Sequence, residues 1–331
     1  MATLTDRNPT LFDLAQATDS SGRVGRLVEI LNQTNEVLDD MVWKEGNLIT
    51  GNRTFIRSGI PTPTWRALYG FVNPSKSTRV QVTDNCGQMW AYSEVDKKLA
   101  DLGGNTAQFR MDEDYAHIEG MSQEMAKTLF YGNEATTQAA FTGLSPRFNS
   151  TSAQNGDNLF DVGGTGNDTR SVWMIVWGDN TVHGIIPKGS MAGLQMVDLG
   201  EEMIQDVSST TAGGRMQAYV SYYTWDAGLT VKDWRYVARI HNIPSSPTAA
   251  QRKTLIDQIF RAYDVIPNMN AGKACLYMSR DMRTEIRVGL SEGTKGSVLK
   301  TENVGGTRVE TLYGVPLKRV DALAASETAF T

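Results

Sequence analysis

Apolar positions recur along the chain at two periods, and each change of period marks an element. Leu27, Ile30, Leu31, Thr34, Val37 and Leu38 follow one another at spacings of three and four, which predicts a short amphipathic helix after a polar arm over residues 1–22. Period two takes over at Thr54-Phe55-Ile56-Arg57 and again at Arg79-Val80-Gln81-Val82, which predicts two strands. Between them Pro61, Pro63, Gly70 and Pro74 break regular structure. A helical stripe then returns with Met111, Tyr115, Ile118, Met125 and Leu129, interrupted only by Ser122. Asn105-Thr106-Ala107-Gln108 reads as its capping box and Gly132-Asn133 as its stop. Some 25 residues of helix span roughly 37 Å.

Residues 141–170 are rich in Gly, Asn, Ser and Thr and read as loop. Val172 to Trp177 and Gly184 to Ile186 read as strands, and Glu201 to Val207 as a short helix. Met216 to Tyr223 and Leu229 to Ile240 are expected to form a long hairpin turning at Asp226-Ala227-Gly228. Thr248-Ala249-Ala250-Gln251 is a second capping box, opening a helix with the stripe Leu255, Ile256, Ile259 and Phe260. A strand from Ala274 to Met278, a helix from Ser279 to Leu290, and strands over Arg308 to Leu312 and Leu317 to Val320 close the chain. Strands and helices segregate rather than alternate, so the expected class is α+β.

Composition adds size and charge to this picture. With 331 residues the chain is long enough for two domains, and 40% hydrophobic content supports a sizeable core. Thirty-two basic against 37 acidic residues leave a net charge of −5, which argues against a dedicated nucleic-acid binder. The charge is unevenly placed. Residues 46–83 contain no Asp or Glu but carry Arg53, Arg57, Arg66, Lys76 and Arg79, whereas residues 84–134 hold ten acidic and four basic side chains. The longest strongly apolar run, Val172 to Trp177, falls far short of the roughly 18 residues that span a bilayer. MATLTDRNPT has no apolar signal region, and two cysteines make no disulfide framework, so a reducing cytosol is the expected setting.

Chemistry-bearing residues are sparse. His117, His183 and His241 and the thiols of Cys86 and Cys275 show no zinc-ligand spacing. Gly163-Gly164-Thr165-Gly166 is followed by Asn167-Asp168, not by the Lys-Ser or Lys-Thr of a phosphate loop, and it lacks the third glycine of a dinucleotide turn. Asp112-Glu113-Asp114 point about 100° apart on a helix and read as a solvated face, not a metal site. Asn32, Asn52, Asn149 and Asn167 begin glycosylation sequons that carry no weight without secretion. The expectation is no catalytic residue, no metal and no cofactor. A cysteine-dependent hydrolase assembled in space around Cys86 or Cys275 stays open as a different class.

Four motifs resemble a known family. They are Pro61-Thr62-Pro63-Thr64-Trp65-Arg66; Glu119-Gly120-Met121 through Phe130-Tyr131-Gly132-Asn133; Trp225-Asp226-Ala227-Gly228-Leu229 to Asp233-Trp234-Arg235-Tyr236; and Tyr313-Gly314-Val315-Pro316-Leu317. Together with the order of arm, basic hairpin, long helix and mixed body, they resemble the major capsid proteins of tailed bacteriophages. These have the HK-ninety-seven-like fold, and the likeness is to the podovirus group typified by phage epsilon-fifteen and Bordetella phages. The resemblance implies an N-terminal arm over 1–45, an extended loop over 46–83, and a peripheral domain over 84–160 and 212–245 with a spine helix at about 106–131. It implies an axial domain over 161–211 and 246–331.

It further implies a subunit that assembles into hexamers and pentamers of an icosahedral shell. The expected partners are scaffold, portal, cement or decoration proteins, and non-specifically packaged DNA, with no membrane. Location would be the virion, after assembly in the bacterial cytoplasm. The extended-loop cations Arg53, Arg57, Arg66, Lys76 and Arg79 would contact a neighbour whose counter-surface is Asp112, Glu113, Asp114, Glu119 and Glu124. Trp65, Trp225, Asp226, Gly228, Trp234, Gly314 and Pro316 would be structural. Some relatives join subunits through Lys-Asn isopeptide bonds; Lys76 with Asn73 lies where such a lysine would sit, but no acid or apolar cluster in its segment would activate the amine. The shell of a cellular nanocompartment, which shares this fold, is the alternative within the class.

Overall fold

The computed structural model describes residues 33–102, 106–205, 215–292, 299–304, 307–323 and 326–330. The expected arm, most of the first amphipathic helix and the Asn105 cap lie outside the described residues. Of that helix one turn is described, α1 (Val37–Asp40). The chain divides into two compact units.

The larger unit is drawn from Asn35–Gly87, Ala126–Ser190 and Ala227–Thr331. At its centre is β5 (Thr169–Trp177), whose continuous apolar run is buried on both faces, as a strand in the middle of a covered sheet must be. It pairs antiparallel with β9 (Val237–Pro244) on one side and β10 (Lys273–Met278) on the other. Beyond β9 lies β4 (Leu159–Asp161), and beyond β10 lie β13 (Val315–Arg319), β12 (Thr307–Leu312) and β11 (Leu299–Val304).

Alternation along β5 splits the core. Val172, Met174 and Val176 join Leu255, Ile256 and Ile259 of α4 (Ala249–Val265) and Met282, Ile286 and Leu290 of α5 (Arg280–Glu292). Trp173 on the other face meets the rings of Phe130 and Phe148, and Trp177 meets Tyr277. The Thr248–Gln251 capping box forms as expected. Tyr313 and Gly314 both take positive φ between β12 and β13, the twist-matched two-residue turn in which glycine relieves one of the two strained positions. A second group in this unit pairs β6 (Val182–Ile186) with β1 (Trp43–Glu45) and with the last residues of β8 (Arg215–Val231).

The smaller unit includes Gln88–Met125 and Met191–Asp226. Its strands run in the order β7 (Gln195–Gln205), β8, β3 (Thr78–Asp96). The helices α2 (Lys97–Leu102) and α3 (Thr106–Tyr131) supply a small core of Leu99, Ala100 and Phe109 against Val95.

Three expectations are corrected. Asp226-Ala227-Gly228 is no turn: β8 runs straight through it, and Gly228 pairs with Ile185. The glycine serves close approach, because a Cβ there would stand 2.9 Å from the Asn85 carbonyl oxygen. Glu201 to Gln205 are strand, not helix, held in a ladder in which Glu202 faces Ala218 and Ile204 faces Met216; pairing with a neighbour overrides a weak local preference. Finally, the stripe on α3 is only half right. Met125 and Leu129 are buried, but Met111 and Tyr115 are 52% and 61% exposed. The buried apolar positions are Phe109, Met121, Met125, Ala126, Leu129 and Phe130, because the two ends of the helix serve different cores and no single stripe satisfies both.

Candidate functional site

The acid-free segment forms an antiparallel hairpin of β2 (Gly51–Gly59) and the first part of β3, in register from Gly51↔Asn85 to Gly59↔Thr78, with a bulge between Arg57 and Gly59. Its root is buried and its tip is not. At the root the Asp84 carboxylate accepts a hydrogen bond from Arg147 Nη1 at 2.6 Å, while the same guanidinium donates to the carbonyls of Thr142, Gly143 and Leu229. Asn52 is buried beside it and donates to Thr54 Oγ1. Gly51 fits because a Cβ there would overlap the Asp84 carbonyl oxygen.

Alternation gives the hairpin two unlike faces. Arg53, Phe55 and Arg57 stand opposite Thr83, Gln81 and Arg79 on one; Thr54 and Ile56 stand opposite Val82 and Val80 on the other. All five cations, Arg53, Arg57, Arg66, Lys76 and Arg79, are exposed, and none has an ion-pair partner among the described residues. Arg57 and Arg79 are direct cross-strand partners, a like-charge arrangement that costs the hairpin stability. The tip, residues 60–77, has no helix or strand. It exposes Ile60, Leu68, Tyr69, Phe71 and a fully exposed Trp65. So many large apolar groups in water are unusual for a free chain. Charge counting found the cations; it did not find these apolar residues, nor the Asp84–Arg147 anchor.

The acidic residues expected opposite them all lie on α3, with Asp112, Glu113, Asp114 and Glu119 half-buried and Glu124 exposed. At 100° per residue Asp112 and Glu119 share one side, Glu113 and Glu124 another, and Asp114 a third. Asp112 and Glu119 already accept from Gln108 and Gln123 on the same helix.

The remaining motif residues lie on β8, on a single helical turn and around the β12–β13 turn. Trp225 and Asp226 are half-buried in β8 before the buried Gly228. Trp234 opens a single helical turn whose cap, Asp233, accepts from the Arg235 backbone and pairs with its guanidinium. Gly314 makes the β12–β13 turn, and Pro316 pairs with Thr311.

Cys275 is buried, and burial above all, with the Asp40 carboxylate nearby, pushes its thiol up to about 12, the reverse of an activated nucleophile. Among the described residues no group of three or more His, Cys, Asp or Glu side chains is placed to hold a metal ion.

A family model described as major capsid protein GP7 matches residues 19–331. The near-atomic structure of bacteriophage epsilon15 is 30% identical, covers 100% of both chains and superposes with a TM-score of 0.80. Bacteriophage JBD30 capsid is 9% identical, with 97% of each chain covered and a TM-score of 0.44. Mycobacterium phage Bobi is 9% identical, covering 72% of this chain and 99% of its own, also at 0.44. No curated protein matches the chain.

Proposed function

Because the chain belongs to the major capsid protein GP7 family, and is a structural subunit of a tailed-phage head with the HK-ninety-seven-like fold and not an enzyme, we propose that its β2–β3 hairpin is the arm by which one subunit grips the next. The observation that carries this reading is the contrast along the hairpin: a buried, hydrogen-bonded root, then five exposed cations along strands and tip with no ion-pair partner among the described residues, and bare apolar rings at the tip. A monomer gains nothing from exposing those rings, and two arginines face to face weaken it. A neighbouring subunit removes both costs. Head-to-tail contacts of this kind close into rings, and curved rings into shells.

The family ends the hydrolase alternative and assigns the chain to a phage head instead of a nanocompartment. Within that assignment, the finer partners follow from chemistry. Hexamers and pentamers hold together through many modest contacts per subunit. A net charge of −5 suits a wall that must not adsorb the packaged DNA it encloses. Scaffold, portal and cement or decoration proteins complete the assembly in the host cytoplasm. The carboxylates of α3, spread over three sides, act as diffuse charge that guides encounter more than as a fitted counter-surface.

The direct test replaces residues 60–77 with a short glycine linker and examines the protein by negative-stain microscopy. We expect a folded subunit that forms no shells; shells at the unmodified yield would refute the gripping role.

A further inference from the structure

Residues 326–330 lie against the larger unit, and the two are joined unevenly. The main chain of this segment is held at few points. Glu327 and Thr169 exchange backbone hydrogen bonds at the start of β5, and the Ala329 N–H donates to the Gly166 carbonyl at 2.9 Å. Its side chains are held at many. The Glu327 carboxylate accepts from the Tyr131 hydroxyl at 2.7 Å, from the Ser171 hydroxyl, and from Arg239 Nη2 at 2.7 Å. The Arg239 side chain is only 4% exposed, and its guanidinium lies 5.0 Å from the Trp173 ring centroid and 4.7 Å from that of Phe330. Phe330 stacks in turn on the buried His241, with centroids 4.2 Å apart. Asn242 donates to the Phe330 carbonyl at 2.8 Å and accepts from its N–H at 3.2 Å.

The receiving groups are aimed by the body itself. Arg239 Nη1 donates to the Phe148 carbonyl at 2.8 Å, and Nε donates to Ser171 Oγ at 3.1 Å. Arg239, His241 and Asn242 all belong to β9, whose ladders with β5 and β4 need nothing from residues 326–330. The guanidinium is therefore oriented before Glu327 arrives, so little freedom remains to be lost when the carboxylate binds. The segment is the reverse case. A single bridge is too little to order five residues, so its placement depends on what Glu327 and Phe330 find. An arginine this buried stays charged and needs an anion. A carboxylate followed three positions later by an aromatic ring supplies the anion and covers the cation.

We propose that Arg239, His241 and the Thr169 edge of β5 form a recognition site for an extended acidic–aromatic peptide, Glu-x-x-Phe, and that residues 326–330 are its exchangeable ligand. They act as a strap that opens while the body stays folded. Main-chain pairing at a strand edge, with side-chain pockets beside it, is how sheets take up peptides. When the strap leaves, the Arg239 and His241 groups it covered meet water, so opening does not strand a buried charge. Only Ala324 and Ala325 separate the strap from the buried Leu323. So short a link gives it an effective concentration of about millimolar at the site, ahead of the same segment from a second copy. The site is independent of the hairpin and of its gripping role.

Amide hydrogen exchange of the unmodified protein tests the opening. We expect the Glu327 and Ala329 amides to exchange at least tenfold faster than those of Trp173 and Ile175 in β5, through local opening. Equal rates would make the segment an inseparable part of the core and refute the strap. The rates should not change with protein concentration; protection lost on dilution would give the site to a second copy and refute the assignment to the chain's own segment. Peptide binding tests the recognition. A labelled peptide of residues 324–331 with blocked ends is titrated by fluorescence anisotropy against the unmodified chain and against one carrying Glu327→Lys and Phe330→Ser, whose own strap is expelled. We expect at least tenfold tighter binding to the variant, and at least tenfold weaker binding of a Glu327→Gln peptide to it. Equal affinity for the two proteins, or of the two peptides, would overturn the site. If the variant is insoluble, refolding it in about millimolar unsubstituted peptide should restore soluble protein; no recovery would refute an exchangeable ligand.

Discussion

Asp84 and Arg147, 63 residues apart in sequence, form a 2.6 Å ion pair at the root of the hairpin, with the carboxylate only 3% exposed. Removing the guanidinium strands a buried charge and frees three carbonyls. Arg147→Ala is therefore expected to cost about 3 kcal/mol, read as a fall in the denaturant midpoint at unchanged slope. An unchanged midpoint would mean that the hairpin stands without this anchor.

The opposed pair Arg57 and Arg79 leads to an unusual combination of outcomes. Arg57→Glu turns a like-charge pair into an attractive one, so the free subunit should unfold at equal or slightly higher denaturant, by about 0.5 kcal/mol. Combined with Arg66→Glu, it should abolish shells. Light scattering and thermal melts on one sample check both, and loss of soluble protein would instead place these cations inside the fold.

On α3 the corrected burial predicts opposite results at two stripe positions. Leu129→Ala should cost ~2–5 kcal/mol because Leu129 is fully buried. Tyr115→Ala, at a side chain 61% exposed, should stay within about 0.5 kcal/mol. Equal costs at the two sites would contradict this division of the helix.

His183 makes the fold sensitive to acid. Its imidazole lies in β6 opposite Thr230; burial first, then the charges of Lys232 and Lys44, hold it down to about 4, with Asp179 opposing them. Unfolded, it takes a proton near its ordinary value of 6.5. Between those two pH values the unfolded chain binds the extra proton, so stability is constant above 6.5 and falls as pH drops towards 4. The gap is worth roughly 3 kcal/mol. His183→Gln should flatten that part of the stability curve, and an unchanged curve would remove His183 as its cause.

Lys76 is exposed at the hairpin tip, and its own segment contains no carboxylate to assist a crosslinking reaction. Particles boiled in detergent should run as one band near 36.4 kDa. A ladder abolished by Lys76→Ala would reveal crosslinking.

What could be read from the sequence depended on whether a residue's role was local. The strands of the hairpin, the Thr248 capping box and the β12–β13 turn obey short-range rules, and each formed where its pattern stood. Gly228 misled because a glycine that admits a neighbouring backbone looks the same in sequence as one that turns the chain. β7 misled because its strand state is imposed by β8. The cations of the candidate site were legible as composition. Its anchor and the Arg239–Glu327 pair were not, since each joins residues that only the fold brings together.

The hairpin root has a mechanical meaning. When a gripped tip is pulled away from the body, both strands move together, so the ladder between Arg53–Thr83 and Arg57–Arg79 carries almost no relative load. The tension arrives undivided where the strands enter the body, at Gly51, Asp84 and the Arg147 guanidinium. If the tip is gripped as proposed, an arm under tension would therefore be uprooted before it is unzipped, and the Asp84–Arg147 pair would be the first contact to feel the load.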